Sequence, residues 1–262
     1  MITSTSNPQV KRLVSLQKKP KVRQEEKCFI VEGVKMVREA PKERLEKIYI
    51  SETYLKASGG ERWMEKGCPV EVLGDKVFCT VSDTSTPQGI LAVVRCNNYS
   101  WQKLLHSETP LLLILESLQD PGNFGTIVRS SEGAGVDGII LNRTSVDIYH
   151  PKVVRSTMGS IYRVPIAVAD DLETVAREMK REDIRVYAAH LKGKHSYYEE
   201  NYKTGCCFMI GNEANGLTEA LAGEATDYIK IPMRGEVESL NAGVAASLLM
   251  YEARRQREME AE

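Results

Sequence analysis

The spacing of apolar residues divides the chain into two stretches. In the first, NPQVKRLVSLQKK (7–19) places Val10, Leu13, Val14 and Leu16 at helical spacing. Asn7 is a suitable N-cap there, and Pro8 takes the first helical position. KCFIVEG (27–33) predicts a short strand ending at Gly33, and VKMVREA after it predicts a helix. LEKIYI (45–50) alternates as a strand does, and VEVL (70–73) and GILAVV (89–94) predict two more. Residues 1–95 therefore form a small alternating α/β unit. RCNNYSWQKLLHSETP (95–110) is polar, which predicts a linker over 96–109 with room for one helical turn.

In the second stretch, 110–262, the apolar runs no longer alternate. Strands are predicted at LLLIL (111–115), DGIIL (137–141), RVPIAV (163–168), IRVYAA (184–189), CCFMIG (206–211) and DYIKIP (227–232). Helical patterns fall at 124–134, 151–158 and 171–181, with a short turn near 217–222 and a final helix from Asn241 to Gln256. Short, fully apolar strands separated by helices predict a mostly parallel sheet covered on both faces. Ligands of such sheets sit beyond the carboxyl ends of the strands.

Composition adds a charge asymmetry. The net charge is −1, but residues 1–50 hold twelve Lys/Arg against six Glu, which leaves −7 for the remainder. A basic N-terminal segment suits an anionic partner, although a solvated helix face has the same composition. The six cysteines form no C-x-x-C pair and read as small core hydrophobes in a reducing compartment. The four histidines show no metal-ligand spacing, so no metal site is expected. No run approaches 18 apolar residues and the N-terminus does not resemble a signal peptide, so a soluble cytoplasmic protein without membrane contact is expected.

Three loops carry unusual chemistry. In DPGNFGTIVRSSEGAG (120–135), Pro121 and Gly122 make a turn and Asn123 is a candidate N-cap. Gly125, Arg129 and Gly133 share one helix face, so something is expected to approach that backbone closely. A guanidinium there suits a phosphate or a developing oxyanion, unless Arg129 simply pairs with Glu132. The stretch lacks both the Walker lysine and the G-x-G-x-x-G pattern, which sets ATP and nicotinamide chemistry aside. GNEANGL (211–217) crowds Asn212, Glu213 and Asn215 between two glycines, as a ligand rim or an ordinary Asn/Gly turn would. In IPMRGEVESLNAGVAASLLMYE (231–252), Ser239 and Asn241 are candidate caps. Small residues open the following helix, and Val244, Leu248 and Tyr251 form an apolar stripe that a core helix would explain.

Together and in this order, DPGNFGTIVRSSEGAG, FMIGNEANGL and IPMRGEVESLNAGVAAS resemble the SpoU (TrmH-type) branch of the SPOUT RNA methyltransferases. The segment with FIVEGVKMVREA (29–40) resembles the small RNA-binding domain that often precedes that catalytic domain. The resemblance implies an α/β methyltransferase domain over 110–262 with a deep trefoil knot, an exception to the usual absence of knots. It also implies a homodimer through that domain, S-adenosylmethionine as cofactor, and a ribose 2′-hydroxyl of structured RNA as methyl acceptor. Ribosomal RNA of the large subunit is favoured over transfer RNA by the two-domain layout; a non-catalytic RNA-binding protein on the same fold is the reading from another class. The catalytic set it implies is Asn123, Arg129, Glu213, Ser239 and Asn241. Cofactor contacts fall at Gly211, Ile231 and Leu240, with Leu191, Met233 and Gly216 nearby. In the basic segment, Lys11, Arg12, Lys18, Lys19 and Arg23 are the candidate RNA contacts. Phe124, where the family more often has an aliphatic residue, is a mild departure.

Overall fold

The structure is a computed structural model, described here for residues 1–58, 63, 67–190, 193–237 and 239–259. The chain forms two compact units, one of Met1–Asn97 with Asp147–Tyr162, the other of Asn98–Val146 with Arg163–Glu262.

The first unit is built on a four-stranded sheet of β1 (Cys28–Glu32), β2 (Leu45–Ser51), β3 (Val70–Leu73) and β4 (Ile90–Arg95). The spatial order is β1-β4-β2-β3, with β4 antiparallel to both of its neighbours and β3 parallel to β2. Asn7 does cap the first helix, Pro8–Lys18, by accepting from the Gln9 amide. That helix buries Val10, Leu13 and Leu16 against Ile30, Tyr49, Phe78 and Leu91. Short helices at Pro20–Glu26, Glu52–Ser58 and Asp75–Val81 were not legible in the sequence, since each has two turns at most and no sustained period. The segment 147–162 packs here through specific contacts. Tyr149 stacks on Phe29 with ring centroids 4.5 Å apart, and the Tyr162 hydroxyl donates to the Met36 carbonyl at 3.0 Å.

The second unit holds β5 (Leu111–Leu115), β6 (Gly138–Asn142), β7 (Ile166–Ala169), β8 (Arg185–Ala189), β9 (His195–Ser196), β10 (Cys206–Ile210) and β11 (Asp227–Lys230). Their order is β7-β6-β5-β10-β8-β11-β9, and every pairing among the described residues is parallel. Side chains alternate across such strands, so Leu112, Ile114, Cys207 and Met209 meet the Leu172–Arg181 helix through Val175 and Met179. The C-terminal helix, Ala242–Glu258, packs against the Pro121–Ala134 helix and β10. The expected linker carries a 3-10 turn, Trp101–His106, whose Leu105 is buried in this core.

Two expectations for side chains change. Cys79 is exposed on its helix and is not a core residue, unlike Cys28, Cys68, Cys206 and Cys207. The stripe Val244, Leu248 and Tyr251 is not core either: the three are 47%, 37% and 49% exposed. The buried face of that helix is its small-residue side with Ala242, Gly243, Ala246, Leu249, Met250 and Ala253.

Candidate active site

Parallel strands place all their carboxyl ends on one sheet edge, so the loops after β5, β10 and β11 emerge together. β5 and β10 are neighbours in register, Leu115 opposite Ile210, and the Glu116 amide donates to the Ile210 carbonyl at 2.9 Å. The chain order reverses here, since β6 and β7 lie on one side of β5 while β10 and β8 lie on the other.

The loop after β10 is pinned to the end of β5. The Glu116 carboxylate, 9% exposed, accepts from the Thr218 amide at 2.8 Å and from its hydroxyl at 2.7 Å. Asn212 donates through Nδ2 to the Ser117 carbonyl at 2.8 Å. Its Oδ1 accepts from the amides of Ala214 and Asn215, and its backbone pairs in both directions with Gly216. Gly216 has φ +69°, a left-handed turn that favours glycine.

This ring presents Glu213 to the first motif. One carboxylate oxygen accepts from Asn123 Nδ2 at 3.0 Å and from the Asp120 amide at 3.1 Å; the other accepts from the Gln119 amide at 3.2 Å. Burial alone would push the Glu213 pKa up, but the hydrogen bonds from Asn123 and the surrounding amides outweigh it, and the carboxyl sits below its ordinary value. Asn123 is not the helix cap. Asp120 takes that role, accepting the Asn123 amide at 2.7 Å, and the helix begins at Pro121. With the cap supplied by Asp120, the Asn123 side chain is left to bridge loops.

The bridge continues into the third motif. Asn241 Nδ2 donates to Asn123 Oδ1 at 2.7 Å, while Asn241 Oδ1 caps the C-terminal helix by accepting from Gly243 and Val244. Glu213, Asn123 and Asn241 thus form one hydrogen-bonded chain joining the three loops. Arg129 and Ser239 stand outside it. Both are exposed, and neither has a hydrogen-bond or ion-pair partner among the described residues. Glu132 does not hold Arg129; it is engaged by Arg163, with Nη2 at 3.1 Å from Oε2. The group that approaches the glycine face is the Tyr251 hydroxyl, which lies 2.5 Å from where a Cβ on Gly133 would be.

Of the expected cofactor contacts, Gly211 and Gly216 bound the loop after β10, and Ile231, Met233 and Leu240 are half-buried in the loop after β11. Leu191 lies outside the described residues. Met233 and Leu240 use no backbone hydrogen bond within the described residues, which leaves amides and carbonyls between apolar side chains. Free peptide groups flanked by aliphatic surface fit a nucleoside-bearing ligand.

The basic side chains of the first unit divide sharply. Arg23 is 2% exposed, with its guanidinium spent on Asp147 at 2.5 and 3.0 Å and on the carbonyls of Leu16 and Gln17. That burial removes Arg23 from the side chains able to reach an RNA phosphate. Arg12 bridges Glu46 at 2.5 Å and Glu26 at 2.6 Å, and those carboxylates raise its pKa further. Lys11, Lys18 and Lys19 are exposed without such partners among the described residues.

Sequence reading missed Glu116 and Asp120, and it placed Asn212 on the loop rim without its bond to the end of β5. Signals existed for the first two: an acid ending an all-aliphatic run, and Asp before Pro at a helix start. Among the described residues, no group of His, Cys, Asp and Glu could hold a metal ion, and no helix is long and apolar enough to cross a membrane.

Comparison with known proteins matches residues 110–251 to the SpoU rRNA Methylase family and residues 7–92 to the MRM3-like substrate binding domain. The chain is 32% identical to the 23S rRNA (guanosine(2553)-2′-O)-methyltransferase RlmP of Bacillus subtilis, over 97% of this chain and 98% of that protein. Among solved structures, it superposes on the AdoMet-bound rRNA methyltransferase from Sinorhizobium meliloti with a TM-score of 0.84 at 30% identity, covering 97% of each chain. The SpoU methyltransferase AviRb from Streptomyces viridochromogenes, in complex with AdoMet, gives 0.85 at 25% identity over 96% of this chain and 98% of that one. With three hydrogen-bonded motif loops on one parallel sheet and a family match over more than half its length, the chain belongs to the SpoU rRNA methylase family.

Proposed function

We propose that the protein transfers a methyl group from S-adenosylmethionine to a ribose 2′-hydroxyl of structured RNA, with large-subunit ribosomal RNA as substrate. The observation that carries this is the chain Glu213–Asn123–Asn241, which ties three loops together beyond the sheet's carboxyl edge while Arg129 has no partner among the described residues. The relatives named for 23S and other ribosomal RNA support the choice of RNA. Transfer RNA is the alternative substrate.

Gly211, Gly216, Ile231, Met233 and Leu240 would hold the cofactor, with Leu191 assigned beside them by the family motif. When bound, S-adenosylmethionine supplies an electrophilic methyl on a sulfonium. The difficulty left to the protein is a weakly nucleophilic sugar hydroxyl that must lose its proton during attack. Arg129, always charged, donates to that oxygen or its neighbouring phosphate and stabilises the forming alkoxide, while the hydroxyl's proton passes to solvent water. Asn123 and Asn241 hold the first and third loops at fixed separation, Glu213 fixes Asn123 and the first loop, and Ser239 borders the acceptor.

Residues 1–95 are the RNA substrate-binding domain of this reading, 96–109 the connection and 110–262 the methyltransferase domain. The exposed stripe Val244, Leu248 and Tyr251 supports a homodimer through the C-terminal helix, and the placement of β10 between β5 and β8 supports a trefoil knot. The enzyme acts in the cytoplasm, where its RNA is.

The test is transfer of labelled methyl from S-adenosylmethionine into ribosomal RNA from cells lacking this gene. Arg129→Ala should lose at least about 100-fold in turnover while binding cofactor as the wild type does. Wild-type turnover in that variant takes Arg129 out of the chemistry, and no ribose methylation by the wild type refutes the activity.

A further inference from the structure

Sorting the cations of the first fifty residues by their partners leaves Lys11, Lys18, Lys19, Lys27 and Lys42 without an ion pair or side-chain hydrogen bond among the described residues. Others are committed, as Arg12, Arg23 and Lys47 are to Glu26, Glu46, Asp147 and Glu71. Three of the five free ammonium groups line one open groove of about 400 Å³ beside the Pro8–Lys18 helix. Its walls add Thr5, Ser15 and Thr80, the last with its hydroxyl donating to the Lys76 carbonyl, and its apolar part is Val10 and Val14. The lining contains no carboxylate, so the groove carries three uncompensated positive charges.

Helical geometry explains the alignment. Lys11, Val14, Ser15 and Lys18 stand at i, i+3, i+4 and i+7, on one helix face. Seven residues advance about 10 Å along the axis, roughly the span of three nucleotides of a stacked strand. Lys19 follows at the C-cap, where the backbone turns extended before Pro20. Ammonium groups act as point charges on phosphates, and hydroxyls donate to phosphate and sugar oxygens without reading base identity.

We infer that this groove takes the sugar–phosphate backbone of the substrate RNA, with Lys11, Lys18 and Lys19 neutralising phosphates and Ser15 fixing the strand. The inference rests on the RNA methyltransferase reading and assigns RNA contact to this face, in place of the basic segment as a whole. It predicts binding that is sensitive to salt and tolerant of sequence.

The experiment measures binding of the full-length protein to ribosomal RNA from cells lacking this gene, across a salt series. The triple variant Lys11→Ala/Lys18→Ala/Lys19→Ala is compared with Lys27→Ala/Lys42→Ala, which removes two free cations that do not line the groove. The triple variant should bind about tenfold more weakly, and its log–log salt slope should shrink by about 2, near 0.7 per lost phosphate contact. Cofactor affinity should be that of the wild type. An unchanged slope and affinity in the triple variant overturns the inference, as does an equal loss in the control. Retained RNA binding with lost binding to polyglutamate would show a groove for acidic protein and also overturn it. Failure of the parent reading has another signature: a wild-type protein that binds RNA through this groove and methylates none.

Discussion

The amide of Asn241 donates to the side-chain oxygen of Asn123 across 2.7 Å, joining positions 118 residues apart in the chain. The same Asn123 donates onward to Glu213. One amide therefore uses its donor and acceptor ends on two different loops, which an ionised carboxylate, an acceptor only, could not do. Asn123→Asp keeps the shape but sets a carboxylate against Glu213. We expect turnover to fall about 100-fold through misplaced loops, with the melting temperature little changed. Single-turnover methyl transfer is the measurement.

Glu213 gives that site a defined acid limit. Its folded-state pKa lies below the ordinary carboxylate value, so its stabilising charge is fully present above the unfolded value. The contribution is lost as the pH falls from near 4.5 through the lower folded value. Loop order, followed by amide exchange at Gln119 and Asp120, should hold from neutral pH to about 5 and decline below. In Glu213→Gln the decline in this pH range should vanish, with exchange at both amides faster at every pH.

At Gly211, one of the proposed cofactor-binding positions, sterics require glycine. A Cβ there would lie 2.1 Å from the Gly216 carbonyl carbon and 2.2 Å from the Leu217 nitrogen, both backbone atoms. Gly211→Ala must open the loop. Calorimetry should show cofactor affinity reduced by more than about tenfold, a loss on the scale of 1.4 kcal/mol.

Arg257 is a structural clamp near the end of the C-terminal helix. Its guanidinium donates to the carbonyls of Thr109 at 2.8 Å, Tyr202 and Thr204 at 2.9 Å, and Pro110 at 3.3 Å. Arg257→Ala should cost about 2–4 kcal/mol in urea unfolding, and Arg257→Lys most of that, because a single ammonium cannot span four carbonyls.

The exposed stripe on that helix tests the dimer. Leu248→Glu places a charge between Val244 and Tyr251, which would be buried in a paired helix face. Sedimentation should show a dimer for the wild type and a monomer for the variant. A monomeric wild type would remove the assembly from the proposal.

Much of this was legible in the sequence. Runs such as LLLIL and CCFMI carry their strand assignment because they are short, wholly apolar and bounded by turn residues, as strands of a sheet buried on both faces are. The three motif loops were legible because glycine, asparagine and proline punctuate the strand ends. The Val244–Leu248–Tyr251 stripe was not, since periodicity reports that a helix has an apolar face and is silent on what covers it. Nor was the engagement of Arg12 and Arg23, because Glu46 and Asp147 lie 34 and 124 residues away in sequence. Asp120 displaced Asn123 as the helix cap for a local reason: the residue before proline prefers extended backbone, which is what a cap needs.

The grouping of Asp147–Tyr162 with the N-terminal residues means that the chain passes between its two units three times, after Asn97, Val146 and Tyr162. No single cut separates them. A fragment starting at Asn98 keeps Tyr149 and Tyr162 but loses the Phe29 ring and the Met36 carbonyl they rest on. The two parts are therefore not interchangeable cassettes: a lineage exchanging one for another must also rewrite sixteen residues embedded in the other's reading frame.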